Sequence, residues 1–202
     1  MLPKPRADLT PNTADFEVLP LVKATGFREY DARWLFEKEI NLVGIRWLGL
    51  GLGTLLHRKG ISPHIVTGHD FRSYSSAIKQ ALITGLLGSG CTVHDIGLAL
   101  SPMAYFAQFA LDVPAVAMVT ASHNDNGWTG VKMGAERPLT FGPDEMSELK
   151  DIVLQADFEM RPGGQLFTIG DMAERYISDL AESAHLERRL KVVVACGNGT
   201  AG

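Results

Sequence analysis

Three short apolar runs, His64–Thr67, Thr92–Ile96 and Ala115–Val119, each break into a polar loop, and the first two are followed by a helical pattern. The first passes through Gly68–Ser73 into a helix predicted over Tyr74–Leu87, stopped at Gly88/Gly90. The second turns at Gly97–Ser101 into a helix over Pro102–Leu111, with the proline suited to a first helical turn. The third leaves through Thr120–Gly130, and Val131–Met133 reads as a short returning strand. Strands alternating with helices predict an α/β fold, a mixed or parallel sheet sandwiched between helices. At 202 residues, 46% hydrophobic and 21% charged, the chain has ample material for such a core.

Before these units, Asn41 reads as the cap of a helix whose Leu42, Ile45, Leu48, Leu52, Leu55 and Leu56 recur at helical spacing. It is predicted to end at Lys59, with Gly60 as a left-handed stop. Gly44, Gly49, Gly51 and Gly53 inside it match no phosphate loop and read as points of close approach to a neighbouring element. Residues 1–17 read as a flexible, at most loosely docked arm. Residues 18–155 read as one domain, closed by an amphipathic helix at Asp144–Gln155. Residues 156–169, broken at Arg161-Pro162-Gly163-Gly164, read as a linker. A helix over Gly170–Leu186 and a strand over Lys191–Ala195 then read as the truncated start of a second, similar domain across residues 170–202.

Composition excludes several classes. The net charge of −4 comes without a dense Lys/Arg cluster, against a nucleic-acid partner. No apolar run approaches the ~18 residues of a membrane span, and residues 1–8 have no apolar signal-peptide core. Cys91 and Cys196 form no CxxC, and the six histidines show no zinc spacing. A cytoplasmic protein with reduced thiols is the expectation.

The chemistry concentrates in Thr120-Ala121-Ser122-His123-Asn124, on the loop that leaves the Ala115–Val119 strand. Gly127, Gly130 and Lys132 follow within ten residues of the serine. A hydroxyl nucleophile, groups that can face an oxyanion and a lysine that can carry charge or a proton suit phosphoryl transfer through a phosphoserine. The plainer alternative is a polar turn built of Asn and Gly. Read alone, Arg28 is a surface ion-pair partner of Glu29 or Asp31, and Lys132 a solvated lysine at a strand edge.

The stretch TASHNDNGWTGVKMG resembles the active-site loop of the α-D-phosphohexomutases, which runs TASHNP, a spacer, then NG-x-K. Phe27-Arg28-Glu29-Tyr30-Asp31 resembles the family's FR-x-YD-I-RG element, and Val66–Arg72 its G-x-D-x-R strand end. The turn at residues 191–202 resembles the opening of its second domain. The FREYD start and the Thr before ASHN are most similar to the phosphomannomutase/phosphoglucomutase branch. Asp125 for proline, Thr129 for asparagine and Trp34 for glycine depart from the pattern.

The resemblance implies interconversion of hexose 1-phosphate and hexose 6-phosphate, of mannose, glucose or both, through a phosphorylated Ser122 and a bound 1,6-bisphosphate. It implies Lys132 as general acid/base, His123 assisting proton movement and Arg28 contacting the phosphoserine. Asn124 and Gly130 belong to the phosphate-binding loop, while Asp70 and Arg72 are expected to hold that loop. Magnesium would be the metal, with Ser122 its one nameable ligand here, and a hexose 1,6-bisphosphate the activator. Hexose phosphates are the implied partners, and this fragment alone is expected to be inactive. Two other readings stand beside it: a non-catalytic sugar-phosphate binding module, and a dinucleotide site at Gly197-x-Gly199-x-x-Gly202.

Overall fold

The computed structural model describes residues 2–137, 139–196 and 199–201. Its N-terminal segment is docked, which corrects the reading of residues 1–17 as a flexible arm. The Arg6 amide donates to the Pro20 carbonyl at 2.9 Å and the Val22 amide to the Arg6 carbonyl at 3.1 Å. Helix α1 (Ala14–Val18) begins where the Thr13 hydroxyl accepts from the Phe16 amide. Leu9, Phe16 and Leu21 then bury together. The apolar side chains, absent from a simple tally of Pro, Asn and Asp, hold the segment down.

Strand β1 (Ala32–Leu35) follows, and helix α2 (Leu42–Arg58) starts at Asn41, whose side chain accepts from the Gly44 amide. Then come β2 (His64–His69), α3 (Ser75–Gly88), β3 (Thr92–Leu98), α4 (Ser101–Ala110), β4 (Ala115–Val119), β5 (Trp128–Gly134), α5 (Pro143–Gln155), β6 (Gln165–Thr168) and α6 (Met172–Ser183). Among the described residues six strands form one mixed sheet in the order β1-β5-β4-β2-β3-β6. β4, β2, β3 and β6 run parallel, while β5 turns back antiparallel to β4 and β1 pairs antiparallel to β5.

Alternation along each strand sends side chains to two cores. Ile65, Val93, Ala115, Ala117 and Val119 bury with α2, α3 and α5. Val66, Val116 and Met118 bury with α4 and with Met172 of α6. The fold is the expected helix-covered α/β sheet. Among the described residues no helix is long and apolar enough to cross a membrane.

Helices α2 and α3 cross at two glycines. A Cβ on Gly49 would meet the Leu82 carbonyl oxygen at 2.2 Å, and one on Gly85 would meet the Arg46 carbonyl oxygen at 2.1 Å. Gly49 therefore serves contact with α3 and Gly51 with Val153 of α5, while Gly44 and Gly53 come up against Leu21 and Ser89 in connecting segments.

Two further expectations need correction. Residues 165–168, inside the predicted linker, pair with β3 as the sixth strand, Gln165 opposite Thr92. Lys191–Ala195 forms no strand, and Val193 is 91% exposed. A valine run becomes a strand only when it pairs with another strand, and among the described residues this one pairs with none.

Candidate active site

β4 and β2 are parallel neighbours, so the loops after Val119 and His69 emerge at the same end of the sheet. The Asp70 amide donates to the Val119 carbonyl at 2.9 Å and joins the two exits. Here Ser122 and His123 are exposed, and Ser122 adopts φ +54°. That left-handed conformation costs roughly 1–2 kcal/mol for a residue with a Cβ. Contacts around the loop hold it there. The Ser122 amide donates to the Thr120 hydroxyl at 3.0 Å, and the Thr120 amide to the Gly130 carbonyl at 3.0 Å.

Arg72 is the main clamp. Its Nη2 donates to the Asn124 carbonyl at 2.6 Å and to the Ser122 carbonyl at 3.3 Å, while Nη1 pairs with the Asp70 carboxylate. Asp70, 4% exposed, also accepts from the Ser75 hydroxyl at 2.6 Å and the Arg72 amide at 3.2 Å. A satisfied, buried carboxylate thus aims the guanidinium at the serine loop.

A second arginine approaches from β1. Arg33 Nη1 donates to Asn124 Oδ1 at 2.5 Å and to the Ala121 carbonyl at 3.4 Å. Its Nη2 and Nε reach Asp31 Oδ2 at 2.7 and 2.8 Å. Burial and then the Asp31 charge push the Tyr105 phenol up, so it stays protonated near this pair. Gly130 lets β1 lie this close: a Cβ there would meet the Ala32 carbonyl oxygen at 2.3 Å.

Ser122, His123, Asn124, Asp70 and Arg72 line one cleft of about 670 Å³, together with Thr120, Asp125, Phe71 and Thr200. That volume suits a small polar ligand. Ser122 Oγ lies 3.4 Å from His123 Nδ1. Gly130 and Lys132 sit on β5 behind the loop, and half-buried Lys132 pairs with Met118 across the ladder. Arg28 is exposed, its guanidinium 6.0 Å from the Trp128 ring centre, and Asp31 pairs with Arg33. Neither Lys132 nor Arg28 is a lining residue of this cleft.

Sequence reasoning passed over Arg33 and Tyr74. For Arg33 the available signal was period-two alternation, since Ala32 and Trp34 are buried on the opposite face. The loop amides, read as phosphate donors, are partly committed elsewhere. Asn124, Gly127 and Trp128 donate to the Ala121 carbonyl, the Tyr74 hydroxyl and the Asp125 carbonyl at 3.0, 2.8 and 3.3 Å.

Magnesium fits poorly to these residues by themselves. Among the described residues no three His, Cys, Asp or Glu side chains gather as a metal site, and Asp70 is spent on Arg72 and Ser75. Of the glycine turn after Lys191, Gly197 and Gly202 lie outside the described residues. The segment before it lacks the strand that a dinucleotide turn requires.

Comparison with known proteins identifies a family. Residues 24–160 match the family model described as phosphoglucomutase/phosphomannomutase, alpha/beta/alpha domain I. A Pseudomonas syringae protein named phosphomannomutase/phosphoglucomutase is 31% identical over 185 residues, covering 92% of this chain and 39% of that protein. A Pyrococcus furiosus protein named "probable phosphoglucosamine mutase" is 36% identical over 154 residues, 75% of this chain and 33% of that one. The crystal structure of a Burkholderia thailandensis phosphoglucomutase/phosphomannomutase family protein superposes with a TM-score of 0.75 at 25% identity, covering 83% of this chain and 38% of its own. The chain spans well under half the length of these relatives. With a serine loop clamped at the strand ends and a family match across the sheet that carries it, the chain belongs to the phosphoglucomutase/phosphomannomutase family.

Proposed function

We propose that this chain carries the phosphoserine of a phosphohexomutase, an enzyme that interconverts hexose 1-phosphate and hexose 6-phosphate of mannose, glucose or both. One observation carries the reading: Ser122 projects at a cleft while Arg72 grips the carbonyls on both sides of its neighbour His123. A phosphate on Ser122 would bring about −1.5 to −2 charge to that spot, beside Arg72, which donates to the Ser122 carbonyl, and His123, whose Nδ1 lies 3.4 Å from Ser122 Oγ.

In the forward half-reaction the bond between phosphorus and Ser122 Oγ breaks as a sugar hydroxyl oxygen bonds to phosphorus. The hydroxyl proton passes to a base, a role we assign to Lys132, with His123 moving or sharing a proton at Ser122 Oγ. The bound 1,6-bisphosphate then returns its other phosphoryl group to Ser122, and the proton goes back. Arg28, over Trp128, is assigned to the phosphoserine surroundings. Magnesium enters this reading through one donor of the chain, Ser122 Oγ, and a hexose 1,6-bisphosphate is the activator. The fragment by itself is expected not to turn over.

Peptide mass mapping of the protein from its native cells tests the reading. Phosphate on the Ser122 peptide, and loss of turnover in Ser122→Ala, are expected. An unmodified Ser122 with full activity in the variant overturns it.

A further inference from the structure

The rear of the serine loop is held by a residue outside the sequence motifs. Tyr74, the residue just before α3, receives the Gly127 amide on its hydroxyl oxygen at 2.8 Å and donates the hydroxyl proton to the Trp128 carbonyl at 2.9 Å. One oxygen thus uses both of its hydrogen-bonding capacities on consecutive loop residues. The Tyr74 ring stacks on Phe36, centres 5.4 Å apart and planes 24° apart. The Phe36 amide in turn donates to the Gly127 carbonyl at 2.9 Å. Gly127 is therefore gripped on both its amide and its carbonyl, in a φ of +95°.

Arg72 and Tyr74 stand two residues apart on one turn, closed by the Ser75 amide on the Arg72 carbonyl at 2.9 Å. The first takes the front of the loop at Ser122 and Asn124, the second its rear at Gly127 and Trp128. Between these grips lie Asp125 and Asn126, with no proline to stiffen the backbone. Within the loop the Trp128 amide on the Asp125 carbonyl at 3.3 Å spans this stretch, and the remaining support comes from outside it.

We propose that Tyr74 is a positioning residue for phosphoryl transfer at Ser122. Its hydroxyl holds the rear of the loop so that Ser122 keeps its left-handed conformation and its aim at the cleft. The proposal rests on the phosphoserine reading of Ser122.

Tyr74→Phe tests it, since the ring and its stacking on Phe36 are kept while both hydrogen bonds are lost. Two measurements separate the proposal from that reading. Hydrogen exchange of the Gly127 amide should quicken tenfold or more in the variant, with the β2 amides unchanged. In the protein as its native cells make it, single-turnover transfer from glucose 1,6-bisphosphate to Ser122 should slow ten- to hundredfold, with half-saturation unchanged within twofold. Unchanged Gly127 exchange overturns the proposal, as does an unchanged transfer rate or a loss that appears only in half-saturation. Uniformly faster exchange across the sheet also overturns it, because Tyr74 would then serve general stability. If Tyr74→Phe does not fold, Gly127 exchange in the unaltered protein decides, and an unprotected amide there overturns the proposal. If the unaltered protein takes no phosphate at Ser122, the mutase reading fails, while the exchange measurement still judges the loop contact.

Discussion

Arg33 meets the side-chain oxygen of Asn124 at 2.5 Å, joining the edge strand to the serine loop across 91 residues of sequence. The guanidinium holds Asp31 with one side and the loop with the other, a fork a lysine cannot reproduce. Arg33→Lys should slow phosphate incorporation at Ser122 about tenfold, ~1.4 kcal/mol in the barrier. Incorporation followed by intact mass checks this, and a wild-type rate would show that the fork is dispensable.

Gly49→Ala should destabilise the protein although alanine is the better helix former by about 1 kcal/mol. The added methyl would lie 2.2 Å from the Leu82 carbonyl oxygen, backbone that can move only by shifting α3. A net loss of roughly 1–3 kcal/mol is expected. Urea unfolding measures it, with a gain in stability as the contrary result.

Lys79 and Asp95 form an ion pair of 2.5 Å, with side chains 4% and 9% exposed. Asp95 also accepts from the Gly97 amide at 3.0 Å. Lys79→Met strands the carboxylate and should cost roughly 3–5 kcal/mol. Adding Asp95→Leu should return part of that loss. Failure of the double variant to recover would mean that the pair's value is structural detail beyond charge balance.

Stability should also fall in mild acid because of His94. Its imidazole stacks between His64 and Phe167, and burial, then the His64 charge, hold its pKa below the ordinary value. The unfolded chain therefore takes up a proton near pH 6.5, before the folded one does. This contribution is level above that pH, falls as pH drops towards the folded-state pKa, and levels again below it. His94→Phe keeps the stack and should flatten the slope in thermal melts between pH 7 and 5. An unchanged slope would assign the acid sensitivity to other groups.

From Asn41 to Gln155 the order of strands and helices was legible, because apolar runs, turn glycines and the Asn41 cap are local signals. β4 matches its predicted ends, and α2 starts after its Asn41 cap and ends at Arg58, one residue before the end read for it, with Gly60 left-handed at φ +68°. β1 was not legible: four residues with an arginine among them look like loop until the alternation of Ala32 and Trp34 finds a core. Lys191–Ala195 erred in the other direction, since pairing is non-local and a valine run does not state whether an edge awaits it. The serine loop could be located from its strand. Of its supports, Asp70 and Arg72 were named through the resemblance, whereas Arg33 and Tyr74 were not, because they reach the loop across 88 and 54 residues and nothing near them in sequence names a partner.

Those long spans tie reactivity to the order of assembly. A newly made chain has its serine in place as a residue well before that serine has a shape. Until β1 docks on β5 and the turn that carries Arg72 and Tyr74 closes on the loop, Ser122 has no reason to leave ordinary backbone conformations. Label at Ser122 would then report completed folding, and chains clipped after Leu35, which lose β1 and Arg33, should stay unlabelled beside intact ones given the same phosphate donor.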